Sequence, residues 1–339
     1  MSGAPEFRVG VLGLGAIAQV GHLPILTRLP GVRVVAVYDI DRAKATAIAS
    51  RFGGPRVHRS DVDLVRDDEI DAVIVCTPSH LHESQALAAL EAGKHVLVEK
   101  PLALDATGVE RLATAAERAG RTLMVSMNNR FRPDTEAFVP FVRSGELGEL
   151  FYVRAGWLNR KVRVARPTWR HSRETAGGGA LMDLGVQILD LALWCLGYPR
   201  PRRVLAHTHR APGLTVEDSA TLMIELEGGS VLSTEVTWSL LGRKDRHYLH
   251  VLGSRGAASV SPLTVFKEVE QGLIDVTPQL PENQGNVFTA SYHHQLRHFV
   301  DAARAGAPLP PPREQARLME LIASAYTSAA ERREVVLPG

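Results

Sequence analysis

The chain has 339 residues, 45% of them hydrophobic and 22% charged, with a formal net charge of +2 and two cysteines. That length exceeds one ordinary core and predicts two domains, while the near-neutral balance gives no electrostatic case for a nucleic-acid partner. Cys76 and Cys195 lie in apolar runs and read as buried thiols of a reducing, cytoplasmic compartment, with no disulfide framework and no metal site. The N-terminal residues lack an apolar signal core, and no run reads as long enough to span a membrane, so no membrane partner is expected.

In chain order, residues 7–12 read as a strand, Gly13-Leu-Gly15-Ala-Ile-Ala18 as a tight turn, and 19–29 as a helix. G-x-G-x-x-A between strand and helix is the dinucleotide pattern. The glycines let the backbone approach a pyrophosphate, and the helix N-terminus offers free N–H groups. The second strand, 32–38, ends at Asp39, where a carboxylate can accept from the adenine-side ribose hydroxyls and would repel a 2′-phosphate. Arg42 can pair with such a phosphate and partly offset that repulsion. NAD is therefore the expected cofactor, with NADP the alternative.

The alternation continues with helix 43–52, strand 57–58, helix 61–66 and a strand over 71–76 that ends in Thr77-Pro78. Helix 81–92 stops at Gly93, and the strand 95–99 leads into Glu99-Lys100-Pro101. Helix 105–119 and a last strand ending at Asn128 complete the series. Such repeated units predict a doubly wound parallel sheet, whose ligands bind beyond the carboxyl ends of the strands. The glycine turn, Thr77-Pro78, Lys100 and Asn128 all fall on that edge.

After a helix over 135–143 the period changes. Strand candidates at 151–157, 203–209, 219–226, 231–239, 248–252 and 257–260 are joined by Gly-rich turns. They predict an α+β domain with a large, open, mainly antiparallel sheet of about five or six strands, one face covered by helices and the other free to pair with a second subunit. Residues 177–197 read as one helix that places Asp183, Gln187 and Asp190 on a single face. Asp183 and Gln187 read as site residues; Asp190 stands evenly between a site residue and a buried hydrogen bonder. Arg160, Lys161, Arg163, Trp169 and Arg170 form a cationic stretch that is either a loop over the ligand or a solvated connection. Helices over 292–305 and 314–333 read as packing for the second domain, with Tyr292, His293 and His294 bordering the pocket. The expected division is a Rossmann domain over 1–128 and a substrate-binding and oligomerisation domain over 129–339.

With GLGAIA (13–18), the Asp39 strand end, CTPSHLH (76–82), AALEAGKHVLVEKPLAL (88–104), NNRFRP (128–133), GELGEL (145–150), the 177–197 segment and VEDSATL (216–222), the chain resembles the Gfo/Idh/MocA oxidoreductase family along essentially its whole length. The resemblance implies NAD(P)-dependent hydride transfer to or from a sugar, polyol or inositol-like carbinol, in a homo-oligomer formed through the open sheet. By it, Gly13, Gly15, Ala16, Ile17, Asp39 and Arg42 would hold the adenosine and pyrophosphate. Thr77, Pro78, His82, Glu99, Lys100 and Asn128 would line the nicotinamide side, with Lys100 catalytic. Asp183 and Gln187 would act with Lys100, and Trp169, Arg170 and Tyr292 would help to hold the substrate.

One position departs from the family pattern. The Asp-x-x-x-His of its helix reads Asp183-x-x-x-Gln187 here, and an amide cannot carry a proton as an imidazole can. In one reading Lys100 takes the proton itself; in a second His171, His293 or His294 substitutes for the missing histidine. A third reading is an NAD-binding sensor with weakened chemistry. A redox-neutral glycoside hydrolase or lyase that uses NAD transiently is the remaining alternative.

Overall fold

The computed structural model describes residues 6–161, 168–281 and 286–337, so Arg163 of the cationic stretch lies outside the described residues. The chain divides into two compact units: Met1–Asn128 with Phe288–Arg313, and Asn129–Val287 with Glu314–Gly339.

The first unit holds a parallel sheet in the order β3-β2-β1-β4-β5-β6, from β1 (Phe7–Leu12), β2 (Val32–Tyr38), β3 (Arg56–Val57), β4 (Ala72–Val75), β5 (His95–Glu99) and β6 (Leu123–Ser126). Every residue of β4, β5 and β6 is buried, as a parallel sheet covered on both faces requires. Strand order reverses between β1 and β4, which opens the ligand crevice at the carboxyl end of β1. Asp41, Ser60 and Asp105 start the helices Arg42–Arg51, Asp61–Val65 and Ala106–Ala119, each accepting a backbone N–H three residues on at 2.7 to 3.0 Å. Each such cap contributes about 1 kcal/mol. The helix after the glycine turn has a wide five-residue turn, Ala18–His22, and then Leu23–Leu26, with Pro24 in its opening positions.

Phe288–Arg313 clusters with this first unit. Helix Val287–Arg304 buries Tyr292, Leu296, Phe299 and Val300, and three of its polar groups bond to the ends of β5 and β6 and to Asn128, as described below.

The second unit carries a nine-stranded sheet in the order β14-β13-β12-β11-β7-β10-β9-β8-β15. Its strands are β7 (Leu150–Arg160), β8 (Pro201–His209), β9 (Ser219–Leu226), β10 (Val231–Leu240), β11 (Arg246–Gly253), β12 (Gly256–Val260), β13 (Thr264–Val269), β14 (Gly272–Asp275) and β15 (Val335–Val336). Only β7 and β10 pair in parallel; the other neighbours are antiparallel. The sheet is thus larger than the strand pattern predicted. The strands it missed, β13, β14 and β15, stand toward the two edges of the sheet and lack the clean alternation that marks a half-buried strand. Val204, Leu222, Ile224, Leu232, Leu249 and Val251 are buried on the face covered by helices Pro133–Arg143, Val186–Cys195 and Glu314–Glu331. The opposite face leaves Leu205 and Met223 half exposed.

Two expectations are corrected here. Residues 177–197 do not form one regular helix: a wide turn, Leu181–Gly185, precedes the α-helix Val186–Cys195. The stretch Arg173–Cys195 is also long and apolar enough to cross a membrane by length and composition, with a window of mean hydropathy 1.3. Since 83% of that window is buried inside the protein, its apolarity serves the core of the second unit.

Candidate functional site

The glycine turn is built by close approach. Gly13 has φ +83°, and its N–H donates to Tyr38 O at 2.8 Å. A Cβ at Gly13 would stand 2.8 Å from the Cys76 carbonyl and from Thr77 N, so β1 and β4 converge here only because the side chain is missing. Gly15 is the reverse case: a Cβ there would meet no protein atom within 4 Å, and Gly15 and Ala16 are exposed, with Ile17 half-buried. That open space in front of a helix N-terminus is where a pyrophosphate can approach the backbone. Asp39, at the end of β2, closes the arrangement. Its Oδ2 accepts Leu14 N–H at 2.8 Å and the Lys44 ammonium at 2.7 Å, and its Oδ1 accepts Asp41 N–H at 2.9 Å. Arg42, the first residue of its helix, is exposed. A glycine turn, an open helix start and a strand-end carboxylate fit a dinucleotide.

On the β4 side, Thr77 and Pro78 are half-buried, and Thr77 Oγ1 donates to Gln85 at 2.6 Å. His82 is buried. Its ring nitrogens lie 2.7 and 2.8 Å from the carbonyl oxygens of Pro101 and Thr77, so it ties the turn after β4 to the turn after β5. Burial pushes its pKa down, against the pull of those two carbonyls.

The end of β5 carries Glu99, buried, followed by Lys100, half-buried, whose peptide bond to Pro101 is cis. Glu99 Oε1 collects hydrogen bonds from His22 Nε2 at 2.7 Å, Ser126 Oγ at 2.9 Å and Tyr292 OH at 3.4 Å. Its Oε2 accepts Lys100 N–H at 3.3 Å. Burial alone would raise the Glu99 pKa, but the hydrogen bond and charge of His22, the Ser126 bond and the charge of Lys100 outweigh it and hold the carboxylate ionised. Burial and the Glu99 charge push the Tyr292 phenol up, so it stays a donor. Burial, with a smaller push from Glu99, likewise keeps the Cys76 thiol protonated and unreactive. Gln295 Nε2 donates to Ser126 Oγ at 2.8 Å, and Asn128 Nδ2 to Ser291 Oγ at 2.9 Å. Tyr292 is thus 4% exposed and employed behind the strand end, and Asn128 is engaged within the same unit. His22, Ser126, Ser291 and Gln295 were missed from sequence. His22 alone left a signal there, as a histidine on the helix that follows the glycine turn.

In the second unit, Asp183 and Gln187 are half-buried. Asp183 Oδ2 accepts Trp238 Nε1 at 3.2 Å, and Gln187 Nε2 donates back to the Asp183 carbonyl at 3.2 Å. The start of this segment is fixed by Glu217, whose Oε1 accepts the N–H groups of Gly179 and Leu181 and the Tyr326 hydroxyl at 2.8 to 3.0 Å. A Cβ at Gly179 would fall 1.9 Å from the Glu217 carbonyl oxygen, which explains a glycine there. Asp190 faces elsewhere: it is buried and bonds Arg130, Tyr198 and Gln315. Of the candidate histidines, His171 belongs to this unit, with its ring 5.9 Å from that of Trp238. Arg170 stacks on Trp169, with 4.6 Å from its guanidinium carbon to the ring centre. Arg160 bonds Asp245 on the surface, and Lys161 N–H donates to Leu240 O. In the first unit, exposed His293 borders a cavity with Leu29, Val32 and Val300, at the amino end of β2 and so away from the glycine turn.

A parallel sheet whose switch point holds a glycine turn, with a carboxylate at the end of the adjacent strand, defines a dinucleotide-binding protein. Residues 7–127 match the oxidoreductase family with an NAD-binding Rossmann fold, GFO/IDH/MocA, and residues 140–259 match the C-terminal domain of that family. The chain is 30% identical over 331 residues to an uncharacterized oxidoreductase, ORF334, of Rhizobium meliloti, covering 96% of this chain and 97% of that protein. It is 30% identical over 303 residues to inositol 2-dehydrogenase 2 of Saccharopolyspora erythraea, covering 88% and 85% of the two. The crystal structure of GenD2 from gentamicin A biosynthesis in complex with NAD is similar at a TM-score of 0.85 and 30% identity, over 99% of this chain and 97% of that one. The chain belongs to the GFO/IDH/MocA oxidoreductase family and is an NAD-binding enzyme.

Proposed function

We propose that the protein is an NAD(P)-dependent dehydrogenase or reductase that moves a hydride between the nicotinamide and a carbinol carbon of a sugar, polyol or inositol-like compound. The observation that carries this reading is Lys100, set just beyond β5 next to a carboxylate held ionised by His22 and Ser126. The family and the inositol dehydrogenase relative support the substrate class.

The nicotinamide, when bound, supplies or accepts the hydride. Lys100 hydrogen-bonds the reacting oxygen and takes or returns its proton as that oxygen changes between hydroxyl and carbonyl. Glu99 acts on Lys100 as a fixed neighbouring charge. Asp183 and Gln187 hold further substrate hydroxyls, Asp183 as an acceptor and Gln187 as both donor and acceptor. Trp169 and Arg170 border the substrate. The half-exposed apolar residues on the outer face of the second unit's sheet support pairing with a second copy of the chain, and the buried thiols suit a cytoplasmic setting.

NADH appearance from NAD with a panel of sugars, inositols and sugar acids tests the reading. Turnover of at least one member is expected. Glycoside cleavage that needs NAD yet yields no net NADH would replace it with the redox-neutral reading, and ligand binding without either reaction would replace it with a sensor.

A further inference from the structure

A carboxylate at the end of the second strand ordinarily selects NAD, because a bare negative charge repels the 2′-phosphate of NADP. In this chain that charge is not bare. Asp39 is 8% exposed, and Lys44 sits on its Oδ2 at 2.7 Å while 38% of the Lys44 side chain remains exposed. The other contacts of Asp39 are backbone N–H groups of Leu14 and Asp41, so the carboxylate is committed to holding the glycine turn. Asp41 adds a second acidic charge, as the cap that accepts Lys44 N–H at 3.0 Å. Arg42 balances it, being exposed and in no ion pair among the described residues. Arg42 and Lys44 thus offset Asp39 and Asp41, while the charge of Asp61 also reaches Tyr38 at this strand end, and both cations sit in the first turn of helix Arg42–Arg51.

From this we infer that Lys44 sets the cofactor preference: it neutralises Asp39 in the free protein, and with Arg42 it would carry a 2′-phosphate, so that NADPH binds as well as NADH. The inference rests on the dinucleotide reading of the site and deepens it. Charge-assisted bonds from lysine to phosphate are strong enough for the loss of one to be read directly as affinity. Lys44 is exposed enough for its replacement to leave the fold intact, since the Leu14–Asp39 bond does not depend on it.

The test is equilibrium titration of the purified full chain with NADH and with NADPH, followed by nucleotide fluorescence, for wild type, Lys44→Gln and Lys44→Glu. Competition by adenosine 2′,5′-bisphosphate against adenosine 5′-phosphate isolates the phosphate itself. Wild type is expected to bind NADPH within about tenfold of NADH, and Lys44→Gln to raise the ratio of the NADPH to the NADH Kd on the order of tenfold or more. Lys44→Glu should raise it further, and the bisphosphate should lose its advantage in both variants. A wild type that prefers NADH by a thousandfold, or a ratio unchanged by both substitutions, overturns the inference. If wild type binds neither nucleotide, the dinucleotide reading itself has failed, and this inference with it.

Discussion

Replacing Asp190 with alanine separates a structural carboxylate from a site carboxylate. Asp190 is 1% exposed and accepts from Arg130 Nε at 2.8 Å, Tyr198 OH at 2.8 Å and Gln315 Nε2 at 2.7 Å. Burial would lower the Arg130 pKa, but the charge and hydrogen bond of Asp190 outweigh it and keep the guanidinium charged. Asp190→Ala therefore leaves a buried cation whose remaining ion-pair partner among the described residues is Glu314, at 3.1 Å and partly exposed, and takes from Tyr198 OH its acceptor and from Gln315 Nε2 the shorter of its two bonds. Breaking one side of a buried ion pair costs about 3–5 kcal/mol. For a folding unit of this size that corresponds to a fall in Tm of roughly 6–20 °C. Thermal unfolding and NADH titration of the same preparation check it: Tm should fall by that amount while the NADH Kd stays within about twofold. Asp190→Asn, which keeps an acceptor but loses the charge, should fall between the two. A Tm within 2 °C of wild type, with turnover lost, would refute the structural assignment and return Asp190 to the site.

Other consequences are equally direct. Gly13→Ala forces a side chain into φ +83° and against the Cys76 carbonyl, so NADH affinity should fall at least about tenfold with a lower Tm; unchanged binding would sink the close-packed turn. Burial, helped by the Arg132 charge, drops the His247 pKa from 6.5 to about 3. Below pH 6.5 the unfolded chain then takes up a proton that the native protein refuses, so stability falls on acidification, by about 2 kcal/mol between pH 6.5 and 5 from this residue. Buried His82, also shifted down, adds to the loss in the same direction. Denaturant midpoints across that range measure the slope, and His247→Gln should flatten it. With Lys100 as the proposed proton carrier, His171→Asn should leave kcat within about threefold; a hundredfold drop with loss of the acidic limb of the pH profile would move that role to His171.

The sequence made the first unit legible because its signals are local. The glycine turn, Asp39 and the strand ending at Lys100 each sit next to the element that positions them, so spacing alone located them. The Glu99 cluster was not legible. Its members come from residues 22, 126, 292 and 295, and nothing local marks Ser126 as a donor to a buried carboxylate or Gln295 as a donor to Ser126. Helical periodicity placed Asp183, Gln187 and Asp190 on one face, whereas the wide turn Leu181–Gly185 and the Arg130 partnership give Asp190 a different environment from the other two. Lys44 shows the same limit at short range. Its place on the helix was readable, but that its ammonium turns back onto Asp39 depends on the angle between strand and helix.

The central claim is that Lys100 performs the chemistry in an NAD-dependent oxidation or reduction of a carbinol. The most direct measurement is turnover by Lys100→Met on the substrate that gives NADH with wild type, with NADH binding measured alongside. The account predicts a loss of kcat by about a thousandfold or more, with the NADH Kd nearly unchanged. A kcat within tenfold of wild type would contradict it.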